Sequence, residues 1–336
     1  MAKRKIGIIG LGMIGGSLAK ALSDKFSVLG YDNDIATCEY AESNGFCVIA
    51  PPEKMGECEI VFVCVPLAVM QNTLDELHKA VGDKVILSDV GSVKQPFANS
   101  NGRYVGGHPM AGTERGGIKA AKAHLFQNAY WVITGEGEDA ERVKEVVEAT
   151  GAIPVKMTAE EHDRAVGEYS HTPHAVAYAL VSSALGNGAA PIAGSGFLDM
   201  TRIAQSDEKF WTEVFKLNRD NVLSGISSVT SELNKISEML SRRDYKSLES
   251  FISSARQGRA ALNRPISSGE VLYVDLVDRI GEFERITGAI ARAGINITGI
   301  ALVPNRDGAG GALRLEFECL ADKLKAKQIL STYETN

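Results

Sequence analysis

The first 157 residues alternate between short apolar runs and segments with helical spacing. Four runs rich in β-branched residues are Lys5–Ile9, Ser27–Tyr31, Glu59–Val65 and Lys84–Val90. Such runs are typical of parallel strands buried on both faces. Tyr104–Val105 leads into a glycine-containing loop, and we expect Tyr130–Thr134 to close the sheet. The pattern predicts an α/β fold whose first domain, residues 1–157, is a Rossmann-type doubly wound sheet.

Helical periodicity replaces the strand runs from residue 158. Thr158 and Glu161 form a capping box that opens a long helix, which we expect Pro173 to kink. Apolar residues recur at helical spacing from Asp207 to about Leu240 and again from Asp244 to Leu262. The pattern predicts an all-helical middle domain over residues 158–265, whose wide apolar faces favour a homodimer.

The end of the chain returns to a mixed pattern after a short linker that ends at residue 269. In chain order it reads as strand Val271–Val277, helix Gly281–Ala293, strands Asn296–Val303 and Leu313–Glu318, and helix Asp322–Leu330. With a short last strand after residue 332, this order predicts a ferredoxin-like βαββαβ module over residues 269–336. No constellation of catalytic residue types occurs here, which favours a regulatory or associative role.

Composition narrows the class of protein. A length of 336 residues favours two or three domains, and 44% hydrophobic with 23% charged residues is typical of a soluble globular protein. The net charge of −6 argues against nucleic acid or an anionic membrane as a partner. The five cysteines form no CxxC pair, so we expect reduced thiols in a cytoplasmic protein without a structural metal. The longest apolar run, residues 60–70, is too short to span a bilayer and is broken by Pro66.

A glycine-rich turn directly follows the first predicted strand. Gly10 permits the tight turn, Gly12 lets the backbone approach a pyrophosphate, and Gly15 lets helix and strand pack closely. The N–H groups of Met13 and Ile14 open the helix that would hold the phosphates. The second strand ends in Asp32, whose carboxylate suits a ribose 2′-hydroxyl and repels a 2′-phosphate. The motif therefore predicts NAD rather than NADP.

Further candidates follow the carboxyl ends of the next strands, where ligands gather in such sheets. We expect Val65 and Pro66, together with Gly91, Ser92 and Lys94, to surround the nicotinamide half of the cofactor. The Ser92 hydroxyl suits either a bond to the carboxamide or substrate, or the N-cap of a helix.

One of the six histidines, His108, lies in the glycine-containing segment 106–114. A lone histidine in a loop is as often an ordinary loop residue as a functional one. The cofactor motif upstream and a polar cluster over residues 168–211 downstream favour a functional role, because an imidazole near its ordinary pKa is available as a base near neutrality.

The polar cluster downstream offers several readings. His171 and His174 share a helix face, but no third ligand at metal spacing accompanies them, so a metal site is disfavoured and a buried structural histidine remains an alternative for His171. Arg202 suits bidentate recognition of a carboxylate, or a surface ion pair with Asp199 or Glu208. Trp211 suits either the core or the site.

Five motifs, read in order, resemble the prephenate/arogenate dehydrogenase family over residues 5 to about 263. They are Gly10–Ser17, Asp89–Lys94, Gly107–Glu114, Ser170–Ala175 and Gly196–Ala204. The tail resembles an ACT domain through Asp278–Phe283 and Gly294–Ile297, although the usual proline is Ile280 here. This resemblance marks Asp278, Gly281, Asn296 and Ile297 as regulatory positions.

The resemblance implies NAD-dependent oxidative decarboxylation of prephenate to 4-hydroxyphenylpyruvate in tyrosine biosynthesis, with tyrosine as an inhibitor acting through the ACT domain. It implies that His108 accepts the substrate's hydroxyl proton and that Ser92 assists. The residues implied to bind substrate or guard the entrance are Arg202, His174, Thr113, Glu114, Ser195 and Asp199. Ser195 and Leu198 occupy positions that vary with substrate, which leaves prephenate and arogenate both open.

Three other functions stay open at this point. The first is an arogenate dehydrogenase that yields tyrosine directly. The second is a 3-hydroxyacid dehydrogenase, which the absence of lysine from residues 160–190 disfavours. The third is a non-catalytic protein that senses NAD and tyrosine, which the presence of His108 and Arg202 disfavours.

Overall fold

A computed structural model of the protein describes residues 3–112, 116–185, 192–262, 270–276, 279–304 and 311–333. The chain divides into two compact units, Met1–Arg242 and Arg243–Asn336. The first unit therefore contains both the predicted sheet domain and most of the predicted helical domain. The boundary that we place between them at residue 157 stays a prediction.

An eight-stranded sheet forms the centre of the first unit. Its strands are β1 (Lys5–Ile9), β2 (Ser27–Tyr31), β3 (Val48–Ile49), β4 (Ile60–Val63), β5 (Ile86–Asp89), β6 (Tyr104–Pro109), β7 (Tyr130–Thr134) and β8 (Ile153–Met157). The strand order is β3-β2-β1-β4-β5-β6-β7-β8, and all neighbours are parallel except the antiparallel pair β6 and β7. Strands are added on one side of β1 up to β3 and then on its other side from β4 onward, so the strand order reverses between β1 and β4. Such a switch point places a ligand-binding crevice at the carboxyl ends of these two strands.

Two details of the sheet differ from the sequence-based prediction. The segment that we expected to be a loop around His108 is the end of β6, where His108 pairs with Val132. The sheet does not end at β7, because β8 pairs with it over Ile153–Met157. Both differences come from strand pairing, which supplies hydrogen-bond partners to segments whose glycines and prolines weaken the local signal.

Helices cover both faces of the sheet. They are α1 (Met13–Leu22), α2 (Ile35–Ser43), α3 (Leu67–Val81) and α4 (Gly137–Ala149). One apolar cluster includes Leu18 and Val143 from α1 and α4, and the other includes Leu74 from α3. Trp211 and Val214 belong to the α3 cluster, so the helical part of this unit packs on that side of the sheet.

The helical part follows β8. Its helices are α5 (Ala159–Val166), α6 (Thr172–Ala184), α7 (Ser195–Thr201), α8 (Glu208–Leu217) and α9 (Arg219–Ser241). The capping box of Thr158 and Glu161 is confirmed. The predicted kinked helix is instead two helices joined by a π-helical turn, Gly167–His171, with Pro173 in the first turn of α6. The predicted helix from Asp207 to Leu240 is likewise interrupted, at the buried Asn218.

Among its described residues, the second unit contains three helices and a three-stranded antiparallel sheet. Its elements are α10 (Tyr245–Leu262), β9 (Glu270–Leu276), α11 (Glu282–Arg292), β10 (Gly299–Pro304), β11 (Gly311–Phe317) and α12 (Leu320–Tyr333). The strand order is β10-β11-β9, and Val274, Ile286, Leu315 and Leu330 share its apolar core. The short last strand that we predict falls largely on residues 334–336, outside the described residues. The ferredoxin-like ACT module therefore stays a prediction.

Candidate active site

The glycine-rich turn between β1 and α1 has the geometry that a dinucleotide needs. Gly10 adopts a φ of +87°, and a Cβ on it would lie 2.6 Å from the carbonyl oxygen of Cys64. A Cβ on Gly15 would lie 1.8 Å from the carbonyl oxygen of Gly10, whereas one on Gly12 would meet no atom within 4 Å. Only glycine fits at Gly10 and Gly15, and Gly12 leaves open space above the first turn of α1, whose N–H groups are available to phosphates.

Asp32 lies at the end of β2 beside this turn. Its carboxylate accepts hydrogen bonds from the backbone N–H of Leu11 at 2.7 Å and of Asp34 at 2.9 Å. These bonds hold the carboxylate against the glycine-rich turn, where it lines the same cavity as Gly12. The position suits a ribose hydroxyl and disfavours a 2′-phosphate.

A single cavity of about 1720 Å³ joins the glycine-rich turn to the helical part of the unit. The predicted cofactor residues that line it are Gly10, Gly12, Met13, Ile14, Asp32, Val65, Pro66 and Gly91. Gly15 lies beneath the turn rather than on the cavity wall. The open cradle above Gly12 and the carboxylate of Asp32 fit NAD, which this set of residues would hold across the switch point of the sheet.

His108 lines the far part of this cavity from the end of β6. Its Nδ1 lies 2.8 Å from Nε2 of His162, and Nδ1 of His162 lies 2.7 Å from Oδ1 of Asp163. Burial is the main cause that holds the pKa of His108 well below its ordinary value, and nearby His162 and Lys94 lower it further. The ring is therefore neutral near pH 7.

Our sequence reasoning missed His162 and Asp163. They are adjacent residues on α5, both almost fully buried, and they lie directly behind His108. The available signal was weak: three of the six histidines fall within residues 162–174, yet nothing in the spacing links His162 to a strand 54 positions earlier.

Lys94 has a different place from the one we predicted. Its side chain is fully buried in an ion pair with Asp89 and does not line the cavity, and its ammonium also donates to the carbonyl oxygen of Gly107 at 2.6 Å. Asp89 in turn accepts hydrogen bonds from the backbone N–H of Gly107 and the hydroxyl of Tyr104. This buried pair fixes β6 beside β5, so it supports His108 instead of contacting the cofactor.

His174 and Trp211 form the wall opposite the sheet. Nδ1 of His174 lies 3.0 Å from the carbonyl oxygen of Ser170, and the ring stacks on Trp211 with centroids 3.4 Å apart. Because Nδ1 donates to a carbonyl, Nε2 of His174 carries the lone pair. Both rings line the cavity.

His171 does not line the cavity. It is 1% exposed, and its Nδ1 lies 3.0 Å from the side-chain nitrogen of Asn218. Of the two alternatives for this residue, the structure supports the buried structural histidine. Burial lowers its pKa to about 4.

The remaining predicted substrate residues divide into three groups. Ser92 and Arg202 line the cavity, and Ser92 does not cap a helix, because the short turn after it begins at Lys94. Ser195 and Asp199 are exposed on α7 and do not line the cavity. Thr113 and Glu114 lie outside the described residues.

The predicted regulatory positions belong to the second unit. Gly281 adopts the left-handed conformation that caps α11, and Asn296 is exposed in the turn before β10, with Ile297 half-buried beside it. Asp278 lies outside the described residues. The carboxylate of Glu282 accepts hydrogen bonds from Arg279 and Arg285, which lower its pKa to about 2.

Metal centres and membrane-spanning helices are both absent from the part of the chain that the structure describes. No group of three His, Cys, Asp or Glu side chains there could hold a metal ion. None of the helices described has both the length and the apolar character to cross a membrane.

The family models that match this chain cover most of it. Residues 16–158 match the model described as "Prephenate dehydrogenase, nucleotide-binding domain". Residues 158–254 match the model described as "Prephenate dehydrogenase, dimerization domain". The first match begins just after the glycine-rich turn and contains His108 together with Asp32, Val65, Pro66 and Gly91. The second contains His162, His174 and Arg202.

Individual proteins that are similar to this chain carry names from the same family as the models. The chain is 31% identical to the prephenate dehydrogenase of Bacillus subtilis, over 99% of this chain and 98% of that protein. The crystal structure of Aquifex aeolicus prephenate dehydrogenase with hydroxyphenyl propionate and NAD+ has a TM-score of 0.73 and 28% identity, over 78% of this chain and 99% of that one. Synechocystis arogenate dehydrogenase has a TM-score of 0.71 and 28% identity, over 76% and 99%. The chain thus belongs to the prephenate/arogenate dehydrogenase family and is an NAD-dependent oxidoreductase.

Proposed function

We propose that the protein oxidises prephenate with NAD and releases carbon dioxide and 4-hydroxyphenylpyruvate. The observation that carries the proposal is that His108, with its Nδ1 bonded to His162, faces the same cavity as the glycine-rich turn. A base therefore lies within the crevice that would hold the nicotinamide. The similarity to the prephenate dehydrogenases of B. subtilis and A. aeolicus supports this choice of substrate class.

The reaction asks little of the protein beyond positioning and proton transfer. Bound NAD would supply the acceptor for the hydride that leaves the ring carbon bearing the hydroxyl. His108 takes the hydroxyl proton on Nε2 as the carbonyl forms, a role that a neutral imidazole suits. Loss of the ring carboxylate then makes the ring aromatic, so the chemistry of the substrate itself drives decarboxylation.

The other cavity residues would orient the substrate. Arg202 offers a guanidinium that suits one of the two prephenate carboxylates. Ser92 and His174 offer hydrogen-bonding groups in the same cavity as His108. Thr113 and Glu114, from the same motif as His108, are proposed to guard the entrance. Ser195 and Asp199 are exposed on α7, so we propose for them at most an indirect effect on substrate choice.

Arogenate is the second candidate substrate. It carries an amine where prephenate carries a keto group, and the similarity to Synechocystis arogenate dehydrogenase is as close as that to the A. aeolicus enzyme. NADH formation measured in parallel with prephenate and with arogenate decides between them. We expect kcat/KM to be at least tenfold higher with prephenate; the reverse ratio would make the protein an arogenate dehydrogenase, and no NADH with either would remove the proposed function.

We also propose a homodimer formed by the helical part. Large apolar side chains are exposed on α7 and α9; they are Leu198, Met200, Leu223, Ile226, Leu233 and Leu240. A second copy covering these side chains would stabilise the assembly by removing apolar surface from water. Light scattering coupled to size-exclusion chromatography should give twice the 36.0 kDa mass of the chain, and a mass of one chain would contradict the dimer.

Tyrosine is the proposed effector, and the second unit is its proposed site. The support is the ACT-like pattern around Asp278, Gly281, Asn296 and Ile297. Gly281 caps α11 in the left-handed conformation without a side-chain hydrogen bond, and the positive end of the helix dipole there suits a carboxylate.

A further inference from the structure

We propose that His162 and Asp163 are positioning residues, which fix the proton of His108 on Nδ1 and share the charge that His108 gains during the reaction. The inference rests on the proposed role of His108 as the base. It adds two residues from α5 to the machinery of the reaction, both outside the cavity wall.

The hydrogen bonds of Asp163 fix its ionisation and orientation. Oδ1 accepts the backbone N–H of Lys94 at 2.7 Å, and Oδ2 accepts the backbone N–H of Gln95 at 2.8 Å. A carboxyl group that faces two N–H donors is best matched as an acceptor on both oxygens, which is the carboxylate form. The third contact of Asp163, from Nδ1 of His162 at 2.7 Å, is therefore also a donor bond, and the proton lies on the histidine.

The proton on Nδ1 of His162 determines the hydrogen-bonding roles of two further atoms, Nε2 of His162 and Nδ1 of His108. With Nδ1 of His162 protonated, Nε2 of the neutral ring carries a lone pair and must accept. The atom 2.8 Å away is Nδ1 of His108, which therefore donates. His108 is left with its own lone pair on Nε2, the second ring nitrogen. The opposite tautomer would present an N–H there and would be unable to take a proton.

The same chain of bonds receives the charge of the reaction. When the substrate O–H bond breaks and the Nε2–H bond forms, His108 becomes an imidazolium, while the hydride leaves separately for NAD. Asp89 and Lys94 are paired with each other, so the carboxylate of Asp163, linked to His108 through His162, is the buried group whose charge is opposite to the new positive charge. His162 transmits this attraction through two hydrogen bonds, and such bonds are stronger in a buried setting.

A purely structural role explains this arrangement less well. Burying a carboxylate and two imidazoles is costly, and an apolar contact between α5 and β6 would hold the elements together at lower cost. Asp163 alone, through Lys94 and Gln95, already joins α5 to the turn after β5. His162 adds only the link to His108.

The direct test measures where the proton lies. Magic-angle-spinning ¹⁵N NMR on histidine-labelled protein separates the two tautomers, and His108→Asn identifies the signals of His108. In the wild type we expect His108 to be protonated on Nδ1. Asp163→Leu removes both acceptor oxygens, so Nδ1 of His162 has no acceptor, His162 should donate from Nε2 to Nδ1 of His108, and the proton of His108 should move to its Nε2. An unchanged tautomer in Asp163→Leu would overturn the proposal.

Kinetics tests the consequence. Asp163→Leu should lower kcat by about 10²–10⁴, with the KM for prephenate and the Kd for NAD changed less than threefold. A moved proton with wild-type kcat would also overturn the proposal. His162→Gln keeps an acceptor for His108 and a donor for Asp163 but cannot share the charge, so we expect the wild-type tautomer and a kcat lower by roughly tenfold to hundredfold.

The matched control is His171→Gln, which changes a buried histidine of the same helical segment that does not bond to His108. It should lower the melting temperature while the His108 tautomer stays and kcat changes less than threefold. If Asp163→Leu does not fold, His162→Gln decides: a wild-type kcat there overturns the charge-sharing role. A wild-type protein inactive on both substrates would refute the proposed function, whereas the tautomer measurement needs no substrate and still decides the proton position.

Discussion

At the scale of single residues, His108 owes its properties to groups distant in sequence. Burial, His162 and Lys94 all disfavour its charged form, so its pKa lies well below the ordinary value. A base held neutral in this way is ready near pH 7 and loses its activity only in acid. Its weak basicity is tolerable because the product gains aromaticity.

We predict that His108→Asn lowers kcat by about 10²–10⁴ with little change in KM, because the imidazole acts on the proton that leaves in the transition state. Asparagine keeps hydrogen-bonding groups but no base. Initial rates of NADH formation over a range of prephenate concentrations measure both constants. Turnover at the wild-type rate would exclude His108 from the mechanism.

For Arg202→Gln we predict a KM for prephenate raised on the order of tenfold or more, since a charge-assisted contact to a carboxylate is lost. Arg202→Lys, the control, keeps the charge without the bidentate geometry and should give a smaller increase. The same kinetic assay measures both variants. A KM equal to that of the wild type in Arg202→Gln would mean that this guanidinium serves the fold and does not bind substrate.

The stability of the folded protein should decrease as the pH drops, because His171 binds a proton more readily in the unfolded chain. Its pKa is about 4 in the folded protein and near 6.5 when unfolded, so the unfolded chain binds the proton first as the pH drops. The stabilisation is complete above about pH 6.5 and is lost between pH 6.5 and 4, by about 2–3 kcal/mol for this group at pH 4.5. Urea unfolding at pH 7 and pH 4.5 measures the change. His171→Gln should show a smaller difference between the two pH values, and an equal one would contradict the assignment.

At the scale of elements, the turn from β1 to α1 separates two uses of glycine. Gly15 serves packing, because its missing Cβ makes room for the carbonyl of Gly10. Gly12 serves the ligand, because its missing Cβ faces open space at the start of α1. A side chain at Gly12 should therefore mainly weaken NAD binding, whereas a side chain at Gly15 should also lower the stability of the fold.

Gly12→Ala should leave the melting temperature within a few degrees of wild type and weaken NAD binding by tenfold or more, since the methyl group occupies the pyrophosphate's space. Gly15→Ala should lower stability by about 1–3 kcal/mol as well as NAD affinity, because the turn must move. Thermal unfolding and tryptophan-fluorescence titration with NAD measure the two quantities. Equal stability losses in both variants would refute the distinction.

The π-helical turn Gly167–His171 is the other element that the site depends on. It interrupts the helix between α5, which carries His162, and α6, which carries His174. An uninterrupted α-helix would rotate one of these histidines relative to the other. The turn lets both helices present a histidine to the region around His108.

At the scale of the whole molecule, the two compact units have separate proposed tasks. The first unit contains every described residue that lines the large cavity. The second has its own apolar core and exposes Tyr273, Ile300 and Leu302 on its sheet. This division suits a catalytic unit joined to a regulatory one.

We predict that Asn296→Ala raises the tyrosine concentration for half-maximal inhibition by tenfold or more, because it removes a hydrogen-bonding group from the proposed effector loop. Basal kcat and KM should not change, as the cavity lies in the other unit. The control is Gln328→Ala, which changes an exposed side chain on α12 of the same unit. Tyrosine should inhibit this variant at the same concentration as the wild type. Inhibition unaffected by Asn296→Ala would place tyrosine elsewhere, with the active site as the first alternative.

Much of this protein could be predicted from local pattern. The glycines of the first turn, Asp32 and the capping box at Thr158 are short-range features, in which the backbone conformation depends on residues a few positions apart. The order of strands and helices followed from periodicity for the same reason. Together with the five longer motifs, these features sufficed to predict most of the sheet, NAD as the cofactor and the family.

The tertiary structure alone decided which polar groups meet. Only the tertiary structure shows that His108 lies on a strand, that Lys94 is buried against Asp89, and that hydrogen bonds run from His108 through His162 to Asp163. His108 and His162 are 54 positions apart, and their contact depends on how α5 packs behind β6. No local spacing encodes such a contact, because it results from the summed packing of many side chains. The sequence by itself determined the kind of chemistry, and the packing of helix on sheet determined which nitrogen of His108 is free to perform it.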